Sequence, residues 1–516
     1  MKRTLGLAIA ILLAIGNVAP ANAQDAFLPE EIFMDQDSTV FSTFEEGTGG
    51  FQTSLLVADK QGKGPGTGSW NCDSVTDPEC AIPSKADALW GATVFGVCES
   101  EKDVNCIEGF EIALPGEPMQ AAVFSDQPGG IKIPANPRIG FPGGETSTLW
   151  SAPHAPTASG ATDYMVNFRI GGSYNPKQDK SWRFGAVTVN VIPYRVITGD
   201  YKEPTQGGET REDGSRGYGL GGSITECIWT DTGRCGRQLD LVEGTKIKVV
   251  VRASKDIGGW FKGRMKDPII NITEHDSKHN RIAVQAEAVT IQKLAHAVKN
   301  EDMTTKEKFF LSQSSGPAKY GRGSWWPASY NGIFDYLEYF SKKVKDTAAG
   351  TNVVWSFGSV DAGRGSRCLS DSSKVLGFVT TNALGFDGAS PAYRNGSLSY
   401  NLGGLHYLPD GETEFLGVYD LVMRSDVARC LYGFNKAPVG ASISISGEGD
   451  KTIATTVVGE KNGWLKLAAY GFTFSNKTIK VKLTQKKTTI TCVAPGKKSK
   501  KVTAVIPKCP KGFKKK

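Results

Sequence analysis

Ten cysteines constrain this chain more than any other feature, because their spacing predicts which segments must fold next to each other. Three pairs have seven residues between their members, a length that suits a hairpin-like loop, and a fourth pair brackets sixteen residues near the C terminus. The two remaining cysteines, Cys368 and Cys430, are far apart in the chain and are left to pair with each other. We predict the sequential pairing Cys72–Cys80, Cys98–Cys106, Cys227–Cys235, Cys368–Cys430 and Cys492–Cys509. The open alternative nests Cys80–Cys98 inside Cys72–Cys106, because spacing alone does not determine connectivity. No C-x-x-C motif occurs, so we interpret these cysteines as structural and not as a redox or zinc site.

The N terminus has the parts of a secretory signal peptide over residues 1–23. Lys2 and Arg3 precede an apolar run at 5–15, and small residues at 21–23 suit signal-peptidase cleavage. The apolar run is too short to cross a bilayer, and no later segment is long enough. We therefore predict a chain exported without a membrane span, secreted or at the cell surface.

The charge of the chain is unevenly distributed. The formal net charge is +7, and removal of the predicted signal peptide with Lys2 and Arg3 lowers it to +5. Eleven lysines and no acidic residue lie in 486–516, which leaves −6 for residues 24–485. In an exported protein, a basic tail typically meets anionic envelope polymers or a surface glycan, so we predict no nucleic-acid partner. The alternative is a solvated end that only aids solubility.

The basic tail itself has the pattern of folded structure. Two β-prone runs, 488–493 and 501–506, flank a turn-forming segment and lie within reach of the Cys492–Cys509 pair. A disordered arm would need neither the disulfide nor the β-branched residues. We predict a small closed hairpin and name its lysines as candidate binding residues: Lys497, Lys498, Lys500 and Lys501.

The rest of the chain has the composition of a mainly β, multidomain protein. Sixty-one glycines, twenty-five prolines and short alternating runs predict many strands joined by turns. We predict a β-rich region at 24–300, forming one large or two smaller domains, and a connector at 301–350. An antiparallel, immunoglobulin-like β-sandwich follows at 351–485 and a basic tail at 486–516.

The connector contains the one short helix that we predict and a loop rich in aromatic residues. Ile333, Leu337, Phe340 and Val344 recur at helical spacing and form a single apolar stripe. The aromatic loop either presents a platform that stacks on sugar rings or packs the helix onto the sandwich, and we favour packing. Its candidate binding residues are Tyr320, Trp325, Trp326 and Tyr330.

His275 and His279 are the one candidate metal-binding pair. Their spacing would place two imidazoles on one face of a helix, but the flanking residues are typical of strands. We therefore expect a hairpin loop, predict no metal site and no cofactor, and retain the pair as the alternative.

Two segments of the C-terminal region carry a resemblance to known sequences. Residues 419–434 (YDLVMRSDVARCLYGF) and 462–472 (NGWLKLAAYGF), followed by the lysine-rich tail with its two cysteines, resemble a group of uncharacterised secreted bacterial proteins. The resemblance covers about residues 350–516. It implies the C-terminal architecture and an exported location, and it implies no catalytic residue.

The sequence contains no motif of a catalytic nucleophile or a nucleotide site. Neither a G-x-S-x-G elbow nor a P-loop or dinucleotide fingerprint occurs in a suitable context. We therefore predict an exported, non-enzymatic binding or structural protein. The alternative is a secreted polysaccharide hydrolase with acidic catalytic residues in 24–300.

Overall fold

The structure of the protein is a computed structural model. It describes residues 37–44, 53–60, 68–129, 131–206, 220–221, 227–313, 322–329, 332–360, 366–371, 373–434, 439–446, 455–474, 477–485 and 487–516. The predicted signal peptide lies outside these residues, as do Tyr320 and Tyr330.

The described residues form strands, three α-helices and two short 3-10 helices. The first strands in chain order are β1 (Ser38–Phe44), β2 (Leu55–Asp59), β3 (Ser69–Asn71), β4 (Ala88–Val94), β5 (Cys106–Ala113), β6 (Gln120–Ala121), β7 (Val123–Asp126), β8 (Thr148–Ser151), β9 (Asp163–Tyr174), β10 (Arg183–Thr198), β11 (Thr205–Gln206) and β12 (Leu220–Gly221). They are followed by β13 (Trp229–Asp231), β14 (Arg234–Gln238), β15 (Lys246–Ser254), β16 (Gly259–Arg264), β17 (Lys266–Glu274), β18 (His279–Glu287), β19 (Val289–Lys293), β20 (Ala295–Lys299), β21 (Arg322–Pro327), β22 (Gly350–Val360), β23 (Val375–Thr381) and β24 (Gly385–Phe386). The last are β25 (Ala392–Arg394), β26 (Ser397–Gly403), β27 (Leu416–Arg424), β28 (Val439–Ser446), β29 (Thr455–Lys461), β30 (Trp464–Thr473), β31 (Lys477–Gln485), β32 (Thr488–Ala494), β33 (Lys497–Ala504) and β34 (Lys514–Lys515). The helices are α1 (Thr305–Gln313), α2 (Ile333–Lys343) and α3 (Ser425–Tyr432), and the 3-10 helices are Pro78–Cys80 and Asn300–Asp302.

The protein is mainly β, as predicted. The main sheet has sixteen strands, and its longest path runs β29-β30-β27-β23-β16-β22-β10-β9-β4-β2-β3. The second sheet has the order β17-β18-β15-β5-β6. Alternate residues of its central strand β15, such as Val249 and Val251, point toward Val189 and Phe357 of the main sheet. The two sheets therefore enclose the largest apolar core.

A third sheet covers the other face of the main sheet near its C-terminal strands. It has the order β24-β26-β31-β28, with β25 paired to β26. Leu421 and Leu467 on the main sheet pack with Tyr400 and Val481 on this third sheet. The C-terminal strands β27 and β30 are thus buried on both faces, which explains why their sequences read as nearly continuous apolar runs.

The main sheet crosses the boundary that the sequence analysis places between the N-terminal and C-terminal regions. Strand β16 lies between β22, with which it is antiparallel, and β23, with which it is parallel. Strand β22 also pairs with β10, and in this pairing Phe357 lies opposite Val189. The predicted C-terminal sandwich therefore shares one of its layers with strands from the preceding region.

The predicted helix is present as α2, and two further helices, α1 and α3, were not predicted. The buried side of α2 carries Ile333, Leu337 and Phe340, three members of the predicted stripe. Helix α1 packs against α2 through Phe310, which contacts Phe340 with ring centroids 5.7 Å apart. Its apolar residues Phe309 and Phe310 are adjacent, so no helical periodicity marked it in the sequence.

The five disulfides join the cysteines in the predicted sequential order. The nested alternative for the first four cysteines is therefore wrong. In the three short loops, the paired Cα atoms lie 5.1 to 6.0 Å apart, within the usual range for a disulfide. The Cys368–Cys430 disulfide ties helix α3 to the loop before β23.

Candidate functional site: the cationic tail sheet

The C-terminal residues fold as a separate three-stranded sheet, here called the tail sheet, made of β32, β33 and β34. Strands β32 and β33 form an antiparallel hairpin in which Ala494 pairs with Lys497. Pro495 and Gly496 alone make the turn, and Gly496 has a positive φ of 67°. Proline followed by a left-handed glycine is the pattern of a type II turn. The predicted hairpin is therefore present, with its second strand beginning at Lys497 and not at Lys501.

The last residues of the chain return to the hairpin and complete the sheet. Strand β34 pairs with β32 on the side opposite β33, through Lys514 to Val493 and Lys515 to Cys492. The backbone N–H of Lys516 donates a 2.9 Å hydrogen bond to the carbonyl of Thr491. The terminal lysines are thus held in β-structure and are not a free arm.

A disulfide and one aromatic ring form the interior of the tail sheet. Cys492 is fully buried and bonded to Cys509 across a sequence separation of 17. The ring of Phe513 lies beneath two cations, with Lys500 Nζ 5.0 Å and Lys497 Nζ 5.9 Å from its centroid. A lysine ammonium over an aromatic face is attracted to the ring quadrupole, and its methylene stem covers apolar surface. Phe513 therefore positions two of the four candidate lysines.

The tail sheet presents its positive charge to solvent. Lys497, Lys498, Lys500 and Lys501 are all exposed, and none of them forms an ion pair within the described part of the chain. Lys500 pairs with Cys492 and Lys501 with Thr491, so these two neighbours point to opposite faces. Because 486–516 contains no Asp or Glu, no acidic side chain of the tail neutralises these cations. The arrangement is a compact surface that can attract a polyanion by charge.

Trp326, one of the candidate binding residues of the predicted aromatic loop, lies in strand β21 and is buried. Trp326 is 4% exposed, and its indole packs on Tyr336 and Phe310 in the core around α1 and α2. The surroundings of Trp326 therefore fit the packing that we favoured, and its indole has little exposed surface to offer a ligand. The side chain of Trp325 and both tyrosines of the loop lie outside what the structure describes.

The two candidate metal-binding histidines lie at the turn of the β17–β18 hairpin, as the strand-like flanks predicted. The backbone N–H of His275 donates to the carbonyl of His279 at 3.0 Å. The ring Nδ1 of His279 lies 2.9 Å from the carboxylate of Asp276. Hydrogen bonds to the anion, first from the Lys278 backbone and then from His279, lower the pKa of Asp276 to about 2 although desolvation opposes them. Among the described residues, no group of three or more His, Cys, Asp or Glu side chains is arranged to hold a metal ion.

A cavity lies inside the main core and offers no polar group to a ligand. Its walls are apolar side chains from both sheets, including Phe168, Val251, Phe261 and Phe378. It is a packing defect of the kind found between facing sheets, and it gives no support to a hydrolase site.

Among the described residues, no helix combines the length and apolar character needed to cross a bilayer.

One cluster of charged residues escaped the sequence analysis because its members are far apart in the chain. Asp420 and Lys466 lie on the paired strands β27 and β30, and Asp267 lies on β17, an edge strand of the second sheet. No local motif links them. Asp420 and Lys466 do fall within the two segments that carry the sequence resemblance, which was the only available signal.

Comparison of the chain with protein-family models, curated proteins and solved structures gives no match. The resemblance to secreted bacterial proteins therefore stays a prediction.

Proposed function

We propose that the protein is an exported, non-enzymatic scaffold that attaches to anionic polymers of a cell envelope through its tail sheet. The observation that carries the proposal is the exposure of four lysines on a single disulfide-closed strand pair that contains no acidic residue. Five disulfides support an oxidising location outside the cytoplasm.

The folded form of the tail supports adhesion to a surface better than a role in solubility alone. A solvated arm needs charge but no defined shape, whereas here a disulfide, a tight turn and Phe513 hold the lysines in place. Lysine is a compact point charge suited to phosphate and carboxylate groups that repeat along a polymer. The acidic body would be repelled by the same surface, so the molecule would attach by one end.

The test compares retention on isolated cell envelopes at low and high salt. The variants are a chain ending at Gln485 and a full chain with four lysine-to-glutamine changes, at Lys497, Lys498, Lys500 and Lys501. A lysine near an anionic surface contributes about 1 kcal/mol, so we expect the quadruple variant to bind on the order of a hundredfold or more weakly. High salt should release the unchanged protein, because exposed charges are screened.

The matched control removes four exposed lysines of the body: Lys102, Lys180, Lys202 and Lys278. This control loses the same formal charge and should keep its binding to envelopes. Equal binding by the unchanged protein and the chain ending at Gln485 would overturn the proposal. Equal loss in the two quadruple variants would also overturn it, since net charge alone would then explain retention.

A further inference from the structure

Three residues from different parts of the chain meet where the second sheet reaches the C-terminal strands of the main sheet. Asp267 is the second residue of β17 and has a positive φ of 56°, at a register shift in its pairing with β18. Asp420 and Lys466 lie on the inner face of β27 and β30, where Ala468 is directly opposite Asp420. The irregularity in β17 of the second sheet thus brings the carboxyl group of Asp267 close to two groups of the main sheet, the carboxyl group of Asp420 and the amine of Lys466.

Asp420 occupies the buried side of this junction. Its side chain is 0% exposed. One carboxyl oxygen accepts a 2.6 Å hydrogen bond from the hydroxyl of Tyr470, and the other accepts one of 3.2 Å from the backbone N–H of Asp267. Desolvation raises the pKa of Asp420 to about 7, against the opposing effects of Tyr470 and Lys466. The group is therefore able to hold or release a proton near neutral pH.

Lys466 connects the two carboxyl groups. Its Nζ contacts Oδ1 of Asp267 directly and lies 3.9 Å from Oδ1 of Asp420. The lysine side chain is 22% exposed, so it is largely withdrawn from water, and Lys266 lies over the ring of the neighbouring Tyr470. An amine in contact with one carboxyl group and 3.9 Å from a buried second acid brings the reacting groups of an acyl-transfer site into one place.

We propose that Lys466 and Asp267 become joined by an intramolecular amide bond, with Asp420 relaying the protons. One proton passes from the Lys466 ammonium group to the Asp267 carboxylate in contact with it, and the freed Nζ then attacks Cγ of Asp267 and forms the new C–N bond. Asp420 takes a proton from the nitrogen and gives one to the departing hydroxyl. The C–O bond of Asp267 then breaks, and one water molecule leaves. The reaction needs no oxidant, reductant or second substrate.

The position of this pair beside the buried Asp420 explains why it would react and other ion pairs would not. Lys248 and Glu111 are also in contact, at 2.6 Å, but they are cross-strand neighbours within the second sheet. Their side chains are 28% and 34% exposed, against 22% for Lys466 and 55% for Asp267, so exposure does not distinguish the two pairs. No acid comparable to Asp420 contacts that pair within the described residues. Holding the reactants together replaces a bimolecular condensation with an intramolecular one.

The proposal is tested by mass spectrometry on the full, reduced and alkylated chain. We expect its mass to be one water below the value calculated from its sequence. Trypsin should then release residues 267–278 and 462–477 as one joined species, with no cleavage after Lys466. A mass equal to the calculated value, with the two peptides separate, would overturn the proposal.

Four variants separate the chemistry from general effects on folding. Lys466→Arg keeps the positive charge but offers no acylable amine, so its mass should match the calculated value. Asp267→Asn should expel ammonia in place of water and reach the same final mass as the unchanged joined chain. Asp420→Asn preserves size and should leave the chain unjoined, whereas joining in this variant would refute the relay by Asp420. Lys248→Arg is the matched control and should still lose one water.

Discussion

The indole of Trp326 stacks on the ring of Tyr336, with centroids 5.1 Å apart and planes inclined by 24°. Trp326 comes from β21 and Tyr336 from α2, so this contact fastens the helix to the small sheet formed by β20, β1 and β21. Offset aromatic stacking adds to the free energy gained from the buried area alone. The contact is therefore structural, and it uses the ring face that a sugar would need.

We expect Trp326→Ala to lower the free energy of unfolding by about 3 to 5 kcal/mol, because it leaves a large cavity in a packed core. Denaturant unfolding followed by far-UV circular dichroism measures the change. Phe309→Ala is the control, since Phe309 is 52% exposed on the neighbouring helix. An equally small effect of both substitutions would contradict the burial of Trp326.

Removal of the tail disulfide should expose the lysine strand to proteolysis. Closing a loop of this length stabilises a fold by about 3 kcal/mol in the chain-entropy model, which is large for so small a sheet. We expect the variant with both Cys492 and Cys509 changed to Ser to be cut by trypsin within 497–501 much faster than the unchanged protein. Mass analysis of a time course measures the rates, and equal rates would show that the sheet is stable without the disulfide.

The buried carboxyl group of Asp420 should make stability depend on pH. Its folded pKa of about 7 lies above the ordinary value near 4, so between these values the folded state binds more protons than the unfolded state. Its contribution to stability is present at low pH and decreases as pH rises toward 7, by up to about 1.4 kcal/mol per pH unit.

This dependence is measured in a Lys466→Arg background, where no amide bond is able to form. We expect the added change Asp420→Asn to abolish the decrease, so the double variant gains stability relative to the single variant as pH rises from 4 to 7. Denaturant unfolding at several pH values measures the difference. A difference that stays constant across this range would show that Asp420 does not titrate there.

The start of α1 is stabilised by a capping box. The hydroxyl of Thr304 accepts a 3.2 Å hydrogen bond from the backbone N–H of Glu307, and the Glu307 carboxylate accepts one of 2.7 Å from the backbone N–H of Thr304. We expect Thr304→Ala to lower the free energy of unfolding by about 1 kcal/mol. Thr304→Ser keeps the hydroxyl and should have little effect, and thermal unfolding of the two variants measures the contrast.

Local patterns in the sequence predicted the elements that depend on near neighbours. The spacing of Cys72 and Cys80, and of the two other short pairs, favoured the disulfides that are present. The flanks of His275 predicted a hairpin, and β17 and β18 form one. The helical spacing of Ile333 and Leu337 predicted α2. In each case the relevant partners lie within one turn or one short loop of each other.

Arrangements that depend on distant partners were not predictable in this way. Nothing around Trp260 indicates that β16 lies between β22 and β23, about a hundred residues later in the chain. The same limit applies to the candidate sites. The lysines of β33 are recognisable from composition, whereas the contact of Asp267 with Lys466 requires the packing of two sheets.

The place of β22 in the main sheet has a consequence for the order in which the chain can fold. Strands β10 and β16 both pair with β22, so each presents an open edge until residues 350–360 are in place. An unpaired strand edge is a template for association with other chains. A chain interrupted before β22 would keep these edges open, so we expect it to associate with other chains and not to persist as a smaller folded protein.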